Sequence, residues 1–257
     1  GKARGTFAGI KNKISYLSEL GVTTVELMPV YEFEELPITM PEETKLPDYV
    51  TWTPEAEDMI KPLAPIEEEA GKINYWGYGT GNYFAVKASY ATDPKKASVE
   101  FKRLVKALHE KRMECVMEMC FPNDTNQNLI LDALRFWVKE YHVDGFHLIG
   151  GNIPVVAIVQ DAILSRTKIF MEDFGGNFCN GRKYKNLYVY KEEYQFATRQ
   201  LLNHYNCDIR EFANQQKKQG DELGYVNFIA TNNGFTLADL FMYNDKHNEE
   251  NGLEKIC

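Results

Sequence analysis

The sequence predicts an α/β fold in which a parallel sheet is covered by helices. Short apolar segments alternate along the chain with longer segments whose apolar residues recur at helical spacing. The short segments are apolar along most of their length, which is typical of strands buried on both faces of a parallel sheet. With 257 residues, 44% of them hydrophobic and 26% charged, the chain is long enough to bury a sizeable core.

The first two helix and strand pairs lie within the first 121 residues. An apolar stripe from Ile10 to Leu20 predicts a helix, Gly21 is a typical helix stop, and the run VTTVELMPV is predicted to be a buried strand. A second helix, with Ser98 as a plausible N-cap, is predicted before the strand ECVMEMCF. The apolar stripe of this second helix consists of Phe101, Leu104, Val105 and Leu108.

Three further pairs are predicted in the rest of the chain. An apolar stripe from Ile130 to Tyr141 predicts a helix before the strand GFHLI. Helical segments over residues 155–164 and 192–218 precede the runs KIFME and YVNFIA. The alternation fits either an eight-stranded barrel or a doubly wound open sheet. No GxGxxG motif follows any of the strands, which favours the barrel. We therefore expect a single barrel domain over residues 1–257.

Residues 31–73 interrupt this alternation. Six of the ten prolines lie between Pro37 and Pro65, and residues 31–70 carry twelve acidic residues and two lysines, a net charge of −10. A segment rich in proline and acidic residues has few apolar positions to bury. We interpret it as a long solvated insertion over one end of the barrel, with a lid or a protein-docking loop as the alternative.

The overall composition excludes several classes of protein. The net charge of −8 argues against nucleic acid as a partner, and no apolar stretch is long enough to span a membrane. The five cysteines include no CxxC pair and are expected to be reduced thiols. The sequence has no signal peptide, HExxH motif or DxDxDG run, so we expect a cytoplasmic protein without a metal or a cofactor.

Several motifs, in order along the chain, closely resemble the α-amylase superfamily, and in particular its pullulanase, isoamylase and glycogen debranching branch. They include GTFAGIKNKISYLSELGVTTVELMPVYEF, NYWGYGTGNYFAVKASYA, YHVDGF and NNGFTLADLFMYNDKHNEENG. The resemblance implies a (β/α)8 TIM-type barrel that is incomplete in this chain, which would hold strands 2 to 7 of the family. It also implies an α-glucan as the ligand.

The resemblance indicates that the catalytic nucleophile is missing. Retaining glycosidases need two carboxyl groups about 5 to 5.5 Å apart, at the carboxyl ends of barrel strands. Where the family has an Arg and the nucleophilic Asp, in a run such as DGFRFD, this chain has His147 and Ile149. An alkyl side chain cannot form a glycosyl ester.

The other catalytic motifs are altered to different degrees. Glu172 follows the run KIFM and matches the family's general acid. Asn232 and Asn233 replace the third acid and its neighbour, so this position carries no charge. The family's DVVFNH run has become EMCFPN, which places Glu118 and Asn123 at positions of a polar family motif.

Sugar binding does not need a nucleophile, because aromatic faces and amide groups can hold a glucan. Tyr78 matches the family tyrosine that stacks on the sugar at the cleavage point, and Trp76 lies two residues before it. Asn232, Glu118 and Asn123 are further candidates for binding sugar hydroxyls. The alternative for these aromatic residues is ordinary packing.

These residues predict a non-catalytic domain that binds an α-glucan, such as a maltooligosaccharide, or acts as a scaffold in carbohydrate metabolism. As a scaffold, the chain would use residues 31–70 as a docking surface for a protein partner. The alternative is a weakly active α-glucan hydrolase with substitute carboxylates, for which Glu118 and Glu172 are the best remaining pair.

Overall fold

The computed structural model describes residues 3–35, 74–175, 178–203, 208–218, 220–231 and 237–242. Most of the predicted acidic insertion, and the candidate residues Asn232 and Asn233, lie outside these ranges. The chain divides into two compact units. The first unit contains Gly1–Asp144 and Ile149–Pro154, and the second contains Gly145–Leu148 and Val155–Cys257.

The first unit begins with short helices and contains two pairs of strands and two long helices. Its elements are α1 (Phe7–Lys11), α2 (Ile14–Glu19), β1 (Thr24–Leu27), β2 (Tyr31–Phe33), β3 (Gly81–Val86), α3 (Ala97–Glu110), β4 (Glu114–Cys120) and α4 (Gln127–Tyr141). Two short 3₁₀ helices, Ala88–Tyr90 and Pro94–Lys96, connect β3 to α3.

The second unit continues the alternation of strands and helices. Its elements are β5 (Gly145–Ile149), α5 (Val155–Gln160), β6 (Lys168–Met171), β7 (Leu187–Lys191), α6 (Glu192–Asn203), α7 (Ile209–Lys217), β8 (Gly224–Asn227) and α8 (Leu237–Met242). A 3₁₀ helix, Leu164–Arg166, precedes β6. The last residue of β5, Ile149, is grouped with the first unit.

The core of the first unit forms around β4 and α4. β1 pairs with β4 in parallel, and the five central residues of β4 are all buried, as expected for a strand covered on both faces. Asn126 caps α4 through a hydrogen bond that its side chain accepts from the Asn128 backbone N–H. Trp137 of α4 is fully buried, and its Nε1–H donates to the Tyr83 carbonyl at 2.7 Å. β2 and β3 form a separate antiparallel pair.

In the second unit, β5, β6, β7 and β8 pair in parallel and follow each other in chain order. Successive side chains of a strand point to opposite faces. One face of these strands is buried at Phe146, Ile169 and Leu187 and half-buried at Val189. The other face is half-buried and aromatic, with Phe170 stacked on Tyr188 at a ring centroid distance of 4.9 Å.

The predicted parallel arrangement of strands and helices is confirmed, with differences in detail. The helix predicted from Ile10 to Leu20 is two short helices, separated by a turn. Ser98 is not the N-cap of α3: the 3₁₀ helix before it already has helical backbone, so α3 begins at Ala97 without a side-chain cap. The sequence did not predict β7 or the β2–β3 pair. Within the described residues, no helix has both the length and the apolar character needed to cross a membrane.

Candidate functional site

The loop from Asn74 to Gly79, between β2 and β3, presents the predicted aromatic residues. Asn74 fixes this loop at two points: its Oδ1 accepts from the Gly77 N–H at 2.9 Å, and its Nδ2 donates to the Tyr78 carbonyl at 3.1 Å. Gly77 has a φ of +77°, a conformation that non-glycine residues rarely adopt. The loop is therefore held in one shape by its own sequence.

Tyr31 of β2 holds this loop in place through its hydroxyl group. Its side chain is completely buried, and its hydroxyl lies 3.3 Å from the carbonyls of both Gly77 and Cys120. The hydroxyl has one proton and so donates to one carbonyl at a time. Burial raises the pKa of Tyr31 well above its usual range, so the hydroxyl remains a donor at any ordinary pH. Tyr31 thus connects the loop to the carboxyl end of β4.

Three of the predicted binding residues come together in the first unit. The Tyr78 hydroxyl donates to Glu118 Oε2 at 2.7 Å, and Glu118, in β4, is 6% exposed. Trp76 meets Tyr78 edge to face, with ring centroids 5.7 Å apart, and is 39% exposed. The arrangement combines an exposed aromatic ring, a phenol and a buried carboxylate, which are the groups expected to contact a sugar.

Sequence reasoning missed Glu26 in β1. Its carboxylate and that of Glu118 lie within 4.8 Å of each other. Glu26 is exposed, although it stands in the apolar run VTTVELMPV. A charged residue inside such a run was the available signal, because buried strands rarely contain acidic residues.

Asn123 and Ile149 have structural contacts in the first unit. Asn123 Oδ1 accepts from the Gly151 N–H at 2.8 Å, so this amide oxygen fixes the turn after β5. The Ile149 carbonyl accepts from the Phe121 N–H at 2.8 Å, and its alkyl side chain is half-buried. The role of Asn123 in sugar binding stays a prediction.

The second unit holds the predicted general-acid position and His147. Glu172 directly follows β6 and is exposed. His147 is half-buried, and its ring packs against Tyr190 with centroids 4.7 Å apart. A cavity of about 560 Å³ nearby is lined by residues that include Asp173, Lys191 and Tyr225, but not Glu172.

A larger cavity, of about 800 Å³, lies in the first unit. Its lining includes Phe7, Ile10 and Leu27, and Tyr75 borders it, but Trp76 and Tyr78 do not. The cavity is therefore separate from the predicted sugar-binding residues, and its walls are mainly apolar.

Parallel strands joined by helices, with polar side chains at or near the strand ends, are typical of α/β barrel domains. The model of the α-amylase catalytic domain matches residues 1–126 of this chain. The predicted similarity to the α-amylase family is confirmed, and the parallel strands and helices of this chain correspond to part of a (β/α)8 barrel of that type.

Curated relatives extend the match over nearly the whole chain. Chloroplastic isoamylase 3 from Oryza sativa subsp. japonica is 28% identical over 97% of this chain and 39% of its own length. A glycogen debranching enzyme from Enterobacter sp. strain 638 is 25% identical over 98% of this chain and 44% of its own length. The chain thus spans about two fifths of the curated relatives that it matches.

A solved structure supports the same fold. The pneumococcal glycogen-degrading protein SpuA, solved as a product complex, superimposes with a TM-score of 0.64 and 17% sequence identity. The superposition covers 96% of this chain and 31% of the SpuA chain. At this level of identity the match establishes the fold alone.

Proposed function

We propose that the cluster of Trp76, Tyr78 and Glu118 binds an α-glucan and that the chain does not cleave it. The hydrogen bond of 2.7 Å between the Tyr78 hydroxyl and Glu118 carries this proposal. It fixes the tyrosine ring beside an exposed tryptophan, so both rings are oriented before a ligand arrives. Preorganised aromatic residues bind with a smaller loss of conformational entropy.

Glu118 adds polar recognition to the aromatic surface. A carboxylate can accept hydrogen bonds from several donors at once, and Glu118 accepts one from the Tyr78 hydroxyl. Sugar hydroxyls are good donors to such an acceptor, and bonds to a charged group are stronger than those between neutral groups. The related proteins are an isoamylase and enzymes of glycogen breakdown, which makes an α-glucan the ligand of choice.

The sequence at the nucleophile position argues against cleavage. Ile149 offers no oxygen for a covalent glycosyl intermediate, and His147 stands in place of the family's arginine. Losing the nucleophile removes most of the rate of a retaining glycosidase. We therefore expect this chain to bind an α-glucan without cleaving it.

The direct test is a titration of the purified protein with maltoheptaose, followed by tryptophan fluorescence and calorimetry. We expect saturable binding that is weakened about tenfold or more in Tyr78→Ala, which corresponds to about 1.4 kcal/mol. Tyr16→Ala is the matched control, since Tyr16 is a 57% exposed tyrosine elsewhere in the first unit. We expect this control to bind as the native protein does.

Two results would contradict the proposal. The absence of saturable binding by the native protein would favour the scaffold function. Equal weakening in Tyr78→Ala and Tyr16→Ala would show that the glucan binds elsewhere.

Cellohexaose, a β-linked glucan, serves as the ligand control and should bind more weakly than maltoheptaose.

A second candidate function is weak hydrolysis of α-glucan, favoured by one observation. The carboxylates of Glu26 and Glu118 lie within 4.8 Å of each other, close to the separation of about 5 to 5.5 Å in retaining glycosidases. Sugar release from pullulan that disappears in both Glu26→Gln and Glu118→Gln would support this function. Release that persists in both variants would exclude this pair as its source.

A further inference from the structure

Lys87, the residue after β3, is a buried cation with several fixed partners. Its side chain is 4% exposed, and its Nζ donates to Glu32 Oε1 at 2.9 Å and to the Phe33 carbonyl at 2.6 Å. Nζ also lies 3.2 Å from Glu35 Oε1. A lysine with three oxygen acceptors has its charge compensated and its flexible side chain immobilised.

The carboxylates around Lys87 are themselves connected to the chain that follows β3. Glu32 Oε2 accepts from the Ala88 N–H at 2.8 Å, and Glu35 Oε1 accepts from the Ser89 hydroxyl at 2.7 Å. The Ser89 hydrogen bond and Lys87 together lower the pKa of Glu35, so this carboxylate stays charged at neutral pH. The cluster therefore holds β2 against the end of β3.

Phe33 links this cluster to the sugar-binding loop. Lys87 Nζ lies 4.2 Å from the centroid of the Phe33 ring, a cation–π distance. The same ring packs closely on Gly77: a Cβ at that position would lie 2.5 Å from Phe33 Cε1. Gly77 directly precedes Tyr78, so the position of the Phe33 ring limits where the tyrosine can stand.

We propose that Lys87 is a positioning residue for glucan binding, acting through Phe33 and Gly77 on Tyr78 and Trp76. The inference rests on the function proposed for this loop. Lys87 itself contacts no ligand. It fixes the ring on which the loop is packed, and so keeps the Tyr78 hydroxyl within reach of Glu118.

The test compares Lys87→Met with Lys96→Met as the matched control. Methionine keeps most of the length and apolar character of the lysine side chain and removes its charge. Glu32 and Glu35 are 38% and 40% exposed, so water can solvate them when the cation is lost and the variant can fold. Lys96 forms an exposed ion pair with Asp93, and its loss should leave the loop unchanged.

Two readouts are measured on each variant. The first is the Kd for maltoheptaose, which we expect to rise about tenfold in Lys87→Met and to stay within about twofold in Lys96→Met. The second is the NMR signal of the Trp76 indole N–H, assigned with Trp76→Phe. We expect this signal to shift or broaden in Lys87→Met, while that of the buried Trp137 stays in place.

The second readout separates this inference from the proposed function. If the native protein binds no maltoheptaose, the proposed function fails, and a changed Trp76 signal still supports the positioning role. An unchanged Trp76 signal in folded Lys87→Met overturns the inference, even if the variant is less stable. If Lys87→Met does not fold, Glu32→Gln replaces it. We expect Glu32→Gln to raise the Kd for maltoheptaose about threefold and to shift the Trp76 signal. An unchanged Trp76 signal in this variant overturns the inference.

Discussion

One strand of each unit, β4 in the first and β7 in the second, shows how differently strands of this chain are covered. β4 in the first unit is buried from Cys115 to Met119, whereas in β7 of the second unit only Leu187 is buried. The Tyr78 hydroxyl bonds to a carboxylate on the covered strand. Glu172, the acid that matches the family's general acid, follows a strand with one half-buried face and is itself exposed.

A residue can match a family motif without belonging to a preorganised site. Glu172 fits a family motif, but burial and hydrogen bonding do not distinguish it from an ordinary surface acid. Tyr78 and Glu118 are joined by a short hydrogen bond, and the loop that carries Tyr78 is fixed by Asn74 and Tyr31. Preorganisation is thus found in the first unit, where we place the binding function.

The difference in coverage can be tested most strongly by removing one large ring from each unit. We expect Trp137→Ala to lower the free energy of unfolding by about 3–5 kcal/mol, because it leaves a cavity and an unpaired Tyr83 carbonyl. We expect Tyr190→Ala, on the half-buried face, to cost about 1–2 kcal/mol. Urea denaturation followed by circular dichroism measures both, and equal losses would contradict the difference in coverage.

A smaller effect tests how tightly the loop is packed in the first unit. In Gly77→Ala the new methyl group would meet the Phe33 ring, and we expect a cost of about 1–3 kcal/mol beyond that of the backbone conformation. Gly5→Ala is the matched control, because Gly5 has a φ of +75° and no atom within 4 Å of a Cβ. Thermal and urea unfolding of both variants give the difference, and similar losses would mean that the Phe33 ring can move aside.

The expected effect that is smallest near neutral pH is a pH dependence of stability from buried thiols. Burial raises the pKa of Cys115 to about 12, whereas an unfolded cysteine has a pKa of about 8.5. Below that pH both states hold the proton and the group contributes no slope. As the pH rises from there towards 12, only the unfolded chain releases the proton, and stability falls by up to about 1.4 kcal/mol per pH unit.

The two units can again be compared through this titration. We expect Cys115→Ala to flatten the loss of stability between pH 8.5 and 10, as measured by urea midpoints. Burial and Glu222 also raise the pKa of Cys179 in the second unit, and we expect Cys179→Ala to flatten the loss less. A larger effect of Cys179→Ala would reverse the expected order.

Sequence patterns predicted those helices and strands whose buried apolar residues form a regular pattern along the chain. The stripe that ends at Tyr141 became α4, and the run ECVMEMCF became β4, because each buries its own apolar residues. The β2–β3 pair was missed because its strands are about fifty residues apart, so its hydrogen bonds leave no local pattern. β7 was missed because its run LYVYK is only five residues long and does not alternate between apolar and polar residues.

The candidate site was predictable as a set of residues but not as an arrangement. Tyr78, Trp76 and Glu118 follow from the family motifs, but the bond between Tyr78 and Glu118 joins residues forty positions apart. Nothing in the sequence marked Lys87 as a candidate residue, because a single lysine after an apolar run is usually solvent-exposed. Its role depends on Glu32 and Phe33, which only the folded chain brings to it.

The β2–β3 pair also determines how much free energy of folding is lost when residues are added between its two strands. The Asn74 N–H donates to the Glu35 carbonyl at 2.7 Å, so the residues on either side of the segment 36–73 already meet. Closing a longer loop between joined ends costs only about 0.6 kcal/mol for each doubling of its length. Adding residues between Glu35 and Asn74 is therefore expected to cost little free energy, and a protein engineer could insert a foreign module there.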